Sequence, residues 1–370
     1  MDPLLAPFVE QVRAAAADQT PLRIRGGGTK DFHGVLHGAC LDTRPLNGIV
    51  AYEPSELVVT ARAGTPLAEL EALLAEQGQC LPFEPPHFGP GATVGGMVAA
   101  GLSGPARASV GAVRDYVLGL EMVNGRAELL RFGGQVMKNV AGYDVSRLMA
   151  GAWGTLGLLT EVSLKVLPVA PAEATLRFEL SQAEALRQLQ AWGGQPVPLN
   201  ASCWVEDAGV GCLYVRLRGA VAAVEAACQT LGGTRLDPAA VAPDWAACRE
   251  QTLPWFAART AQPGLALWRL SLPAATLALD LPAGIAPPLV EWHGALRWVL
   301  APDDAGAALR TLAQAVGGSA SLFIASGAYP ADAGGHFGPH ARALQQLHAR
   351  LQAAFDPIGL FNPGRMALAG

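Results

Sequence analysis

Apolar positions recur along the chain with two different periods, and the change from one to the other marks its elements. Leu4 to Ala17 carries apolar residues at helical spacing and predicts an N-terminal helix. Leu22-Arg23-Ile24-Arg25 then predicts a short strand running straight into Gly26-Gly27-Gly28-Thr29. Leu57 to Ala63 is rich in β-branched residues and predicts a second strand. Gly64 ends it, and Thr65 stands where it would cap a helix with Pro66 at its first position, reaching to about Gln77. Val117 to Val123 and Ala127 to Phe132 predict a hairpin about Asn124-Gly125, and Leu158 to Leu167 a strand closed by Pro168.

Past Val169 to Glu173 the pattern changes. Strands are predicted at Leu176 to Leu180, Cys203 to Val205 and Tyr214 to Leu217, and helices at Ser181 to Trp192 and Ala220 to Leu231. That order is compatible with an α+β unit of ferredoxin-like character. Pro238 to Pro288 reads as a less regular stretch rich in Ala, Pro and Trp. Arg342 to Phe355 predicts a further helix, leading into Asp356-Pro357-Ile358-Gly359-Leu360-Phe361-Asn362-Pro363-Gly364.

A chain of 370 residues is too long for one core, so two domains are expected. Hydrophobic residues make up 51% and charged residues 15%, against about a quarter charged in an ordinary globular chain. Such a composition suits a large core, or a surface covered in part by other subunits. The net charge of -5 and the absence of any basic run give nucleic-acid binding no electrostatic support. No positive segment followed by an apolar one begins the chain, and no run of about 18 uncharged apolar residues occurs, so a cytoplasmic chain is expected. Any contact with the inner membrane face would come through partners. The six cysteines lack C-x-x-C spacing and read as scattered thiols, neither a disulfide framework nor an iron–sulfur site.

Three glycine-rich segments are the candidate chemistry. In Arg25-Gly26-Gly27-Gly28-Thr29-Lys30, consecutive glycines can turn successive backbone N–H groups to one side, a concavity suited to anionic oxygen; a plain surface turn is the alternative. In Gly89-Pro90-Gly91-Ala92-Thr93-Val94-Gly95-Gly96-Met97-Val98-Ala99-Ala100-Gly101, small residues at Gly91, Gly95 and Ala99 leave a helix face with almost no side chain. Either another element or a ligand must approach that face closely, and the N–H groups near Thr93 suit a pyrophosphate. The third segment runs from Lys138-Asn139-Val140-Ala141-Gly142-Tyr143-Asp144 through Gly151-Ala152-Trp153-Gly154-Thr155-Leu156-Gly157 into the strand Leu158-Leu159-Thr160. Neither G-x-G-x-x-G nor G-x-x-x-x-G-K-[S/T] occurs, which disfavours a Rossmann nicotinamide site and a P-loop.

In this order and spacing, the three segments resemble the FAD-binding domain of the vanillyl-alcohol oxidase and p-cresol methylhydroxylase (PCMH-type) flavoproteins. The resemblance covers roughly Leu22 to Pro168, together with Phe355 to Gly364. Within that family, Met137 to Pro168 is similar to the E subunits of glycolate oxidases. The resemblance implies an α+β fold: a two-lobed PCMH-type FAD-binding domain at 1–170, completed by 350–370, with an α+β, ferredoxin-like cap at 171–349. It also implies an FAD-dependent oxidoreductase acting on CH–OH groups, as a subunit of a complex that oxidises glycolate or a similar small 2-hydroxy acid such as D-lactate. The partners would be a catalytic flavoprotein subunit and an iron–sulfur subunit.

By the same resemblance, Gly26, Gly27, Gly28, Thr29 and Lys30 would surround the pyrophosphate. Gly91, Ala92, Thr93, Gly95, Gly96 and Gly101 would form the second side, and Gly154, Gly157, Leu158 and Leu159 would meet the adenosine half. Asn362 would lie near the flavin ring. Thr29 stands in the loop where some members bond a His covalently to the flavin, so FAD is expected to be held non-covalently, although His33 and His87 lie close by. For a substrate carboxylate, Arg25, Arg107, Arg114 and Arg365 are candidates; no catalytic base is named. His336 and His340 have helical spacing, but Gly338 and Pro339 interrupt it and the family's H-x-G-D-G-N pattern is absent, so no metal site is expected. Two other readings remain: a self-sufficient flavin dehydrogenase for a small 2-hydroxy acid or alcohol, and a non-catalytic assembly subunit with little or no FAD.

Overall fold

A computed structural model describes residues 2–134, 144–327, 336–338 and 341–366. They divide into two compact units: one built from the described residues of 2–102, 112–168 and 336–366, the other from 103–111 and 169–327.

The first unit has two lobes. One is a five-stranded antiparallel sheet in the order Ile49–Glu53, Val58–Arg62, Leu158–Lys165, Val117–Val123 and Leu129–Gly133. Its central strand Leu158–Lys165 is buried at all but two positions, with Thr160 and Ser163 buried among Leu158, Leu159, Val162 and Leu164. The edge strand Leu129–Gly133 alternates exposed and half-buried positions, as a one-faced strand does. Helix Leu67–Glu76 lays Leu67, Leu70 and Leu74 on this sheet, beside Val59, Phe83, Met97 and Met122.

Two local expectations need correction here. Thr65 does not cap the helix: its hydroxyl bonds the backbone N–H and carbonyl of Gly48, and the helix begins after Pro66 with no side-chain cap. The hairpin turn is also longer than Asn124-Gly125. Asn124 Oδ1 accepts the N–H groups of Arg126 and Glu128, Ala127 has a φ of 59°, and the second strand starts at Leu129. The Asn side chain organises a wider loop in place of a two-residue turn.

The other lobe pairs Leu22–Arg25 in parallel with Ala39–Asp42. On the far side of Leu22–Arg25 lies the C-terminal segment: Leu22 N–H donates to Leu360 O, and Asn362 N–H donates to Leu22 O. Helix Ala6–Asp18 buries Phe8, Val9, Val12 and Ala15 against this layer, in one cluster with Leu41, Leu46 and Phe361.

The second unit is one eight-stranded antiparallel sheet, in the order Thr234–Arg235, Ala172–Glu179, Val210–Gly219, Leu199–Asp207, Leu289–Glu291, Leu296–Ala301, Ala266–Ser271 and Ser319–Ile324. The first four strands and helices Gln182–Gly193 and Val221–Leu231 form a β-α-β-β-α-β pattern with the ferredoxin-like arrangement. The last four repeat that strand arrangement in mirror order, with helix Gly306–Ala315 before the final strand and no helix between Ala266–Ser271 and Leu289–Glu291. The sequence pattern foretold the first half only. The stretch read as irregular holds helices Pro238–Glu250 and Pro254–Ala261 and strand Ala266–Ser271. Pro238 and Pro254 sit at the first positions of these helices, where the missing N–H is harmless, the earlier helix also takes Pro243 inside it, and Asp237 caps that helix through Ala239 and Ala240. Among the described residues no helix is long and apolar enough to cross a membrane.

Candidate functional site

In the first unit the strand Leu22–Arg25 delivers the chain into the glycine loop at the rim of an open cleft of about 710 Å³. Two sides of the cleft are backbone. A Cβ on Gly27 would overlap the Gly91 carbonyl, and one on Gly26 would overlap Thr93 Oγ1, so two glycine segments far apart in sequence touch main chain to main chain. Gly28 adopts a φ of 73°, in the left-handed region that glycine enters at no steric cost. Facing the loop, Thr93 caps helix Val94–Ala100 by accepting the Gly96 N–H at 3.2 Å. The side-chain-free face at Gly95 meets the end of strand Val58–Arg62: Gly95 N–H donates to Ala63 O, and an added Cβ would lie 2.6 Å from Ala63 Cβ.

The charged groups of the cleft are few and each is held. Arg25 Nε lies 2.7 Å from Asp31 Oδ2, and this partner raises the guanidinium pKa above its ordinary value. Lys30 is buried at 8% exposure; its ammonium reaches Thr29 Oγ1 at 3.4 Å and His87 O at 3.3 Å and lies over the Phe88 ring. His87 in turn pairs with Glu71 at 2.9 Å. On another wall, Trp153 has a strained φ of 52° and is stacked on His33 at a ring separation of 4.2 Å. The Arg365 guanidinium lies 5.4 Å from the Trp153 ring centroid and donates to Lys30 O at 2.8 Å. His336 packs beside His33 and Phe337; burial, with the charge of Arg365 second, lowers its pKa to about 4, so its imidazole is neutral near pH 7.

Of the sequence-derived positions, Gly26, Gly27, Gly28, Thr29, Lys30, Thr93, Gly95, Gly96, Gly154, Gly157, Leu159 and Asn362 line this cleft together. Gly91 stands behind Gly27, Gly101 packs on Gly151, and Ala92 is buried away from the opening. Leu158 turns its side chain into the core with Leu41 and Phe361. Asn362 reaches the cleft, but its side chain is committed: Oδ1 accepts the Ile24 N–H at 2.7 Å and Nδ2 donates to Trp153 O at 2.7 Å. Lys138 to Tyr143 and His340 lie outside the described residues. His336 is buried, beside His33 and Phe337. Among the described residues no three His, Cys, Asp or Glu side chains converge as metal ligands.

Sequence reasoning missed Asp31, Thr43, Ala63, Ala99, Ala100 and Trp153 as cleft residues. Trp153 was signalled by the glycines around it. Thr43 and Ala63 carry no local signal, because a fold contact alone brings them there. The donor set suits an elongated anionic ligand: backbone N–H groups and two cations stand at one end, with small apolar side chains and an aromatic ring along the wall. An FAD, with a pyrophosphate between two flat heterocycles, fits such a set.

Comparison with known proteins agrees. Residues 7–133 match the FAD binding domain family. The chain is 46% identical over 360 residues to glycolate oxidase subunit GlcE of Escherichia coli (strain K12), spanning 97% of this chain and 96% of that protein. It is 32% identical over 173 residues to glycolate oxidase subunit GlcD of Bacillus subtilis (strain 168), which covers 46% of this chain and 37% of that one. Over 129 residues it is 34% identical to the mitochondrial D-lactate dehydrogenase [cytochrome] of Arabidopsis thaliana, covering 35% of this chain and 22% of that one. Among solved structures, alkyldihydroxyacetonephosphate synthase shares the fold with a TM-score of 0.64 at 17% identity, over 96% of this chain and 73% of that one. With nearly its whole length aligned to GlcE, the chain belongs to the GlcE family of FAD-binding oxidoreductases.

Proposed function

We propose that the chain is the FAD-carrying subunit of a glycolate oxidase-type assembly that oxidises a small 2-hydroxy acid, glycolate or D-lactate, to the 2-oxo acid and passes the electrons to partner subunits. The observation that carries this reading is the main-chain contact of Gly27 with Gly91, which opens a backbone-lined cleft in a chain similar to GlcE along its length. In the proposed role, N–H groups of Gly26 to Thr29 and the ammonium of Lys30 hold the pyrophosphate oxygens, while Trp153 and the small residues Ala63, Ala99 and Ala100 wall the flat parts of the cofactor. When bound, FAD supplies a two-electron acceptor for the hydrogen on the carbon that bears the hydroxyl. Thr29 cannot form the covalent histidyl link, so the cofactor is held by these contacts alone.

Among the described residues lining the cleft, Asp31 is the one carboxylate, and Arg25 engages it. This supports a base supplied from elsewhere, and with it a dependence on partners. Scattered cysteines that lack cluster spacing support an iron–sulfur centre on another subunit. Association with a membrane would then come through those subunits.

The test is the visible spectrum of the purified chain, followed without oxygen after addition of glycolate or D-lactate. A yellow protein that bleaches only when the partner subunits are present is the expected result. Bleaching of the isolated chain would replace this reading with a self-sufficient dehydrogenase. A colourless chain that takes up no FAD would reduce it to an assembly subunit.

A further inference from the structure

In the first unit, helix Arg342–Phe355 hands the chain to the segment Leu360 to Asn362 across Asp356-Pro357-Ile358-Gly359, and Asp356 stands at the joint. Its backbone N–H still closes the helix on Gln352 O at 2.6 Å. Its side chain turns forward, and Oδ2 accepts the Phe361 N–H at 2.8 Å. Gly359 takes a φ of 67°, the left-handed step that brings the chain back over this carboxyl. The N–H groups of Leu360 and Gly359 also lie near enough to favour its charged form. The carboxyl is costly where it stands. It is 1% exposed, and among the described residues no cation pairs with it and Oδ1 has no hydrogen-bond partner. Burial raises its pKa above the ordinary aspartate value, against the pull of the three N–H groups. An apolar side chain would fill the space at less cost, but it would leave the N–H groups of the turn buried and unpaired.

Two sets of contacts depend on the shape of this turn. On one side, Phe355 O accepts the Gly125 N–H at 2.9 Å, and a Cβ on Gly125 would lie 2.5 Å from Asp356 Oδ1. The joint is thus pressed against the hairpin loop of the five-stranded lobe. On the other side, the segment meets the strand that carries the glycine loop. Leu360 O accepts the Leu22 N–H at 2.8 Å, and Asn362 N–H donates to Leu22 O at 2.8 Å. That pairing sets the Asn362 side chain between Ile24 N–H and Trp153 O in the cleft. Asp356 lies outside the cleft lining and reaches it only through these neighbours.

We propose that Asp356 is a positioning residue for the cofactor cleft: by accepting the N–H groups of the turn it fixes Leu360 and Asn362 against Leu22 and Ile24, and so keeps the flavin site in its binding shape from outside it. The flavin part rests on the function proposed above; the placement of the segment does not. The full chain is compared with Asp356→Ala, Asp356→Asn and Gly125→Ala in two ways. One is titration with FAD, read in flavin fluorescence. The other is hydrogen exchange without FAD at Leu22 and Ile24, whose N–H groups are both given to this segment. Asp356→Ala is expected to weaken FAD binding roughly tenfold or more, as loss of a charge-assisted acceptor does, and to speed exchange at both amides. Asp356→Asn keeps one acceptor oxygen and puts its NH2 where Oδ1 has no partner, so its affinity should stay within about threefold of wild type. This rescue separates an acceptor from a side chain that merely fills space. Gly125→Ala keeps the carboxylate but crowds it; its affinity should fall between the two, and it decides the matter if Asp356→Ala fails to fold. Wild-type affinity in Asp356→Ala or in Gly125→Ala, or an Asn variant no better than the Ala variant, would overturn the role. If those variants bind FAD as the wild type does, this role fails and the flavin reading is spared. A wild-type chain that takes up no FAD does the reverse when exchange at Leu22 and Ile24 is still faster in Asp356→Ala.

Discussion

Gly27 leaves no room for a side chain, because any Cβ there would fall on the Gly91 carbonyl and push the two glycine segments apart. Gly27→Ala is therefore expected to weaken FAD binding at least about tenfold, some 1.4 kcal/mol, while the fold persists. Flavin absorbance after gel filtration and the far-UV circular dichroism of the same sample check both halves. Asn362 joins three segments through Ile24 N–H and Trp153 O in a buried setting. Its replacement by Ala removes two hydrogen bonds of about 1 kcal/mol each, and more where the abandoned groups stay dry, so denaturant unfolding should show about 2–3 kcal/mol lost. His336 carries a pH dependence. Its folded-state pKa is near 4, against an ordinary value of 6.5, so the unfolded chain binds the extra proton in between. This contribution to stability is complete above about pH 6.5 and is lost as the pH falls toward 4, with a slope of at most about 1.4 kcal/mol per pH unit. In His336→Gln the plot of unfolding free energy against pH should be flatter in that window; an unchanged slope would contradict the assignment.

At the scale of elements, what was legible in the sequence is what local pattern alone determines. Strand Val58–Arg62 is rich in β-branched residues, strand Leu158–Lys165 is bounded by Gly157 and Pro168, and the helix Gln182–Gly193 begins with a Ser181–Glu184 capping box, so their positions were readable within a few residues. The second half of the eight-stranded sheet was not. Strands Leu289–Glu291 and Leu296–Ala301 are buried at every position, the charged Glu291 and Arg297 included, so they show no alternation, and Pro-Ala-rich flanks hide their ends. The same limit held at the candidate site. Its glycines announced themselves, whereas Asp31, Thr43 and Ala63 belong to the cleft only because a strand or a loop ends there. One helix stands apart energetically: Arg342–Phe355 has no buried residue, leaves Leu344 and Leu347 exposed, and meets Phe132 through Phe355. With so little packing behind its hydrogen bonds, its amides should exchange with solvent well before those of Leu158–Lys165. Hydrogen-exchange mass spectrometry compares the two directly, and equal protection would refute the expectation.

For the whole molecule, chain order and spatial order disagree. The first unit is interrupted by residues 169–327 and is finished by the segment around Leu360 to Asn362, which pairs with Leu22 and fills the core with Phe361, itself 0% exposed. Phe361→Ala should cost about 3–5 kcal/mol in denaturant unfolding, as removal of a fully buried aromatic does. Loss of cofactor should accompany it, because Asn362 is the next residue and lines the cleft. That pairing also sets a timetable for biosynthesis. The glycine loop leaves the ribosome about 330 residues before the strand partner that steadies it, at synthesis rates of about 5–20 residues per second. Until Leu360 to Asn362 have been made, the nascent chain thus carries a cofactor loop without its strand partner, and stable flavin loading waits for that segment.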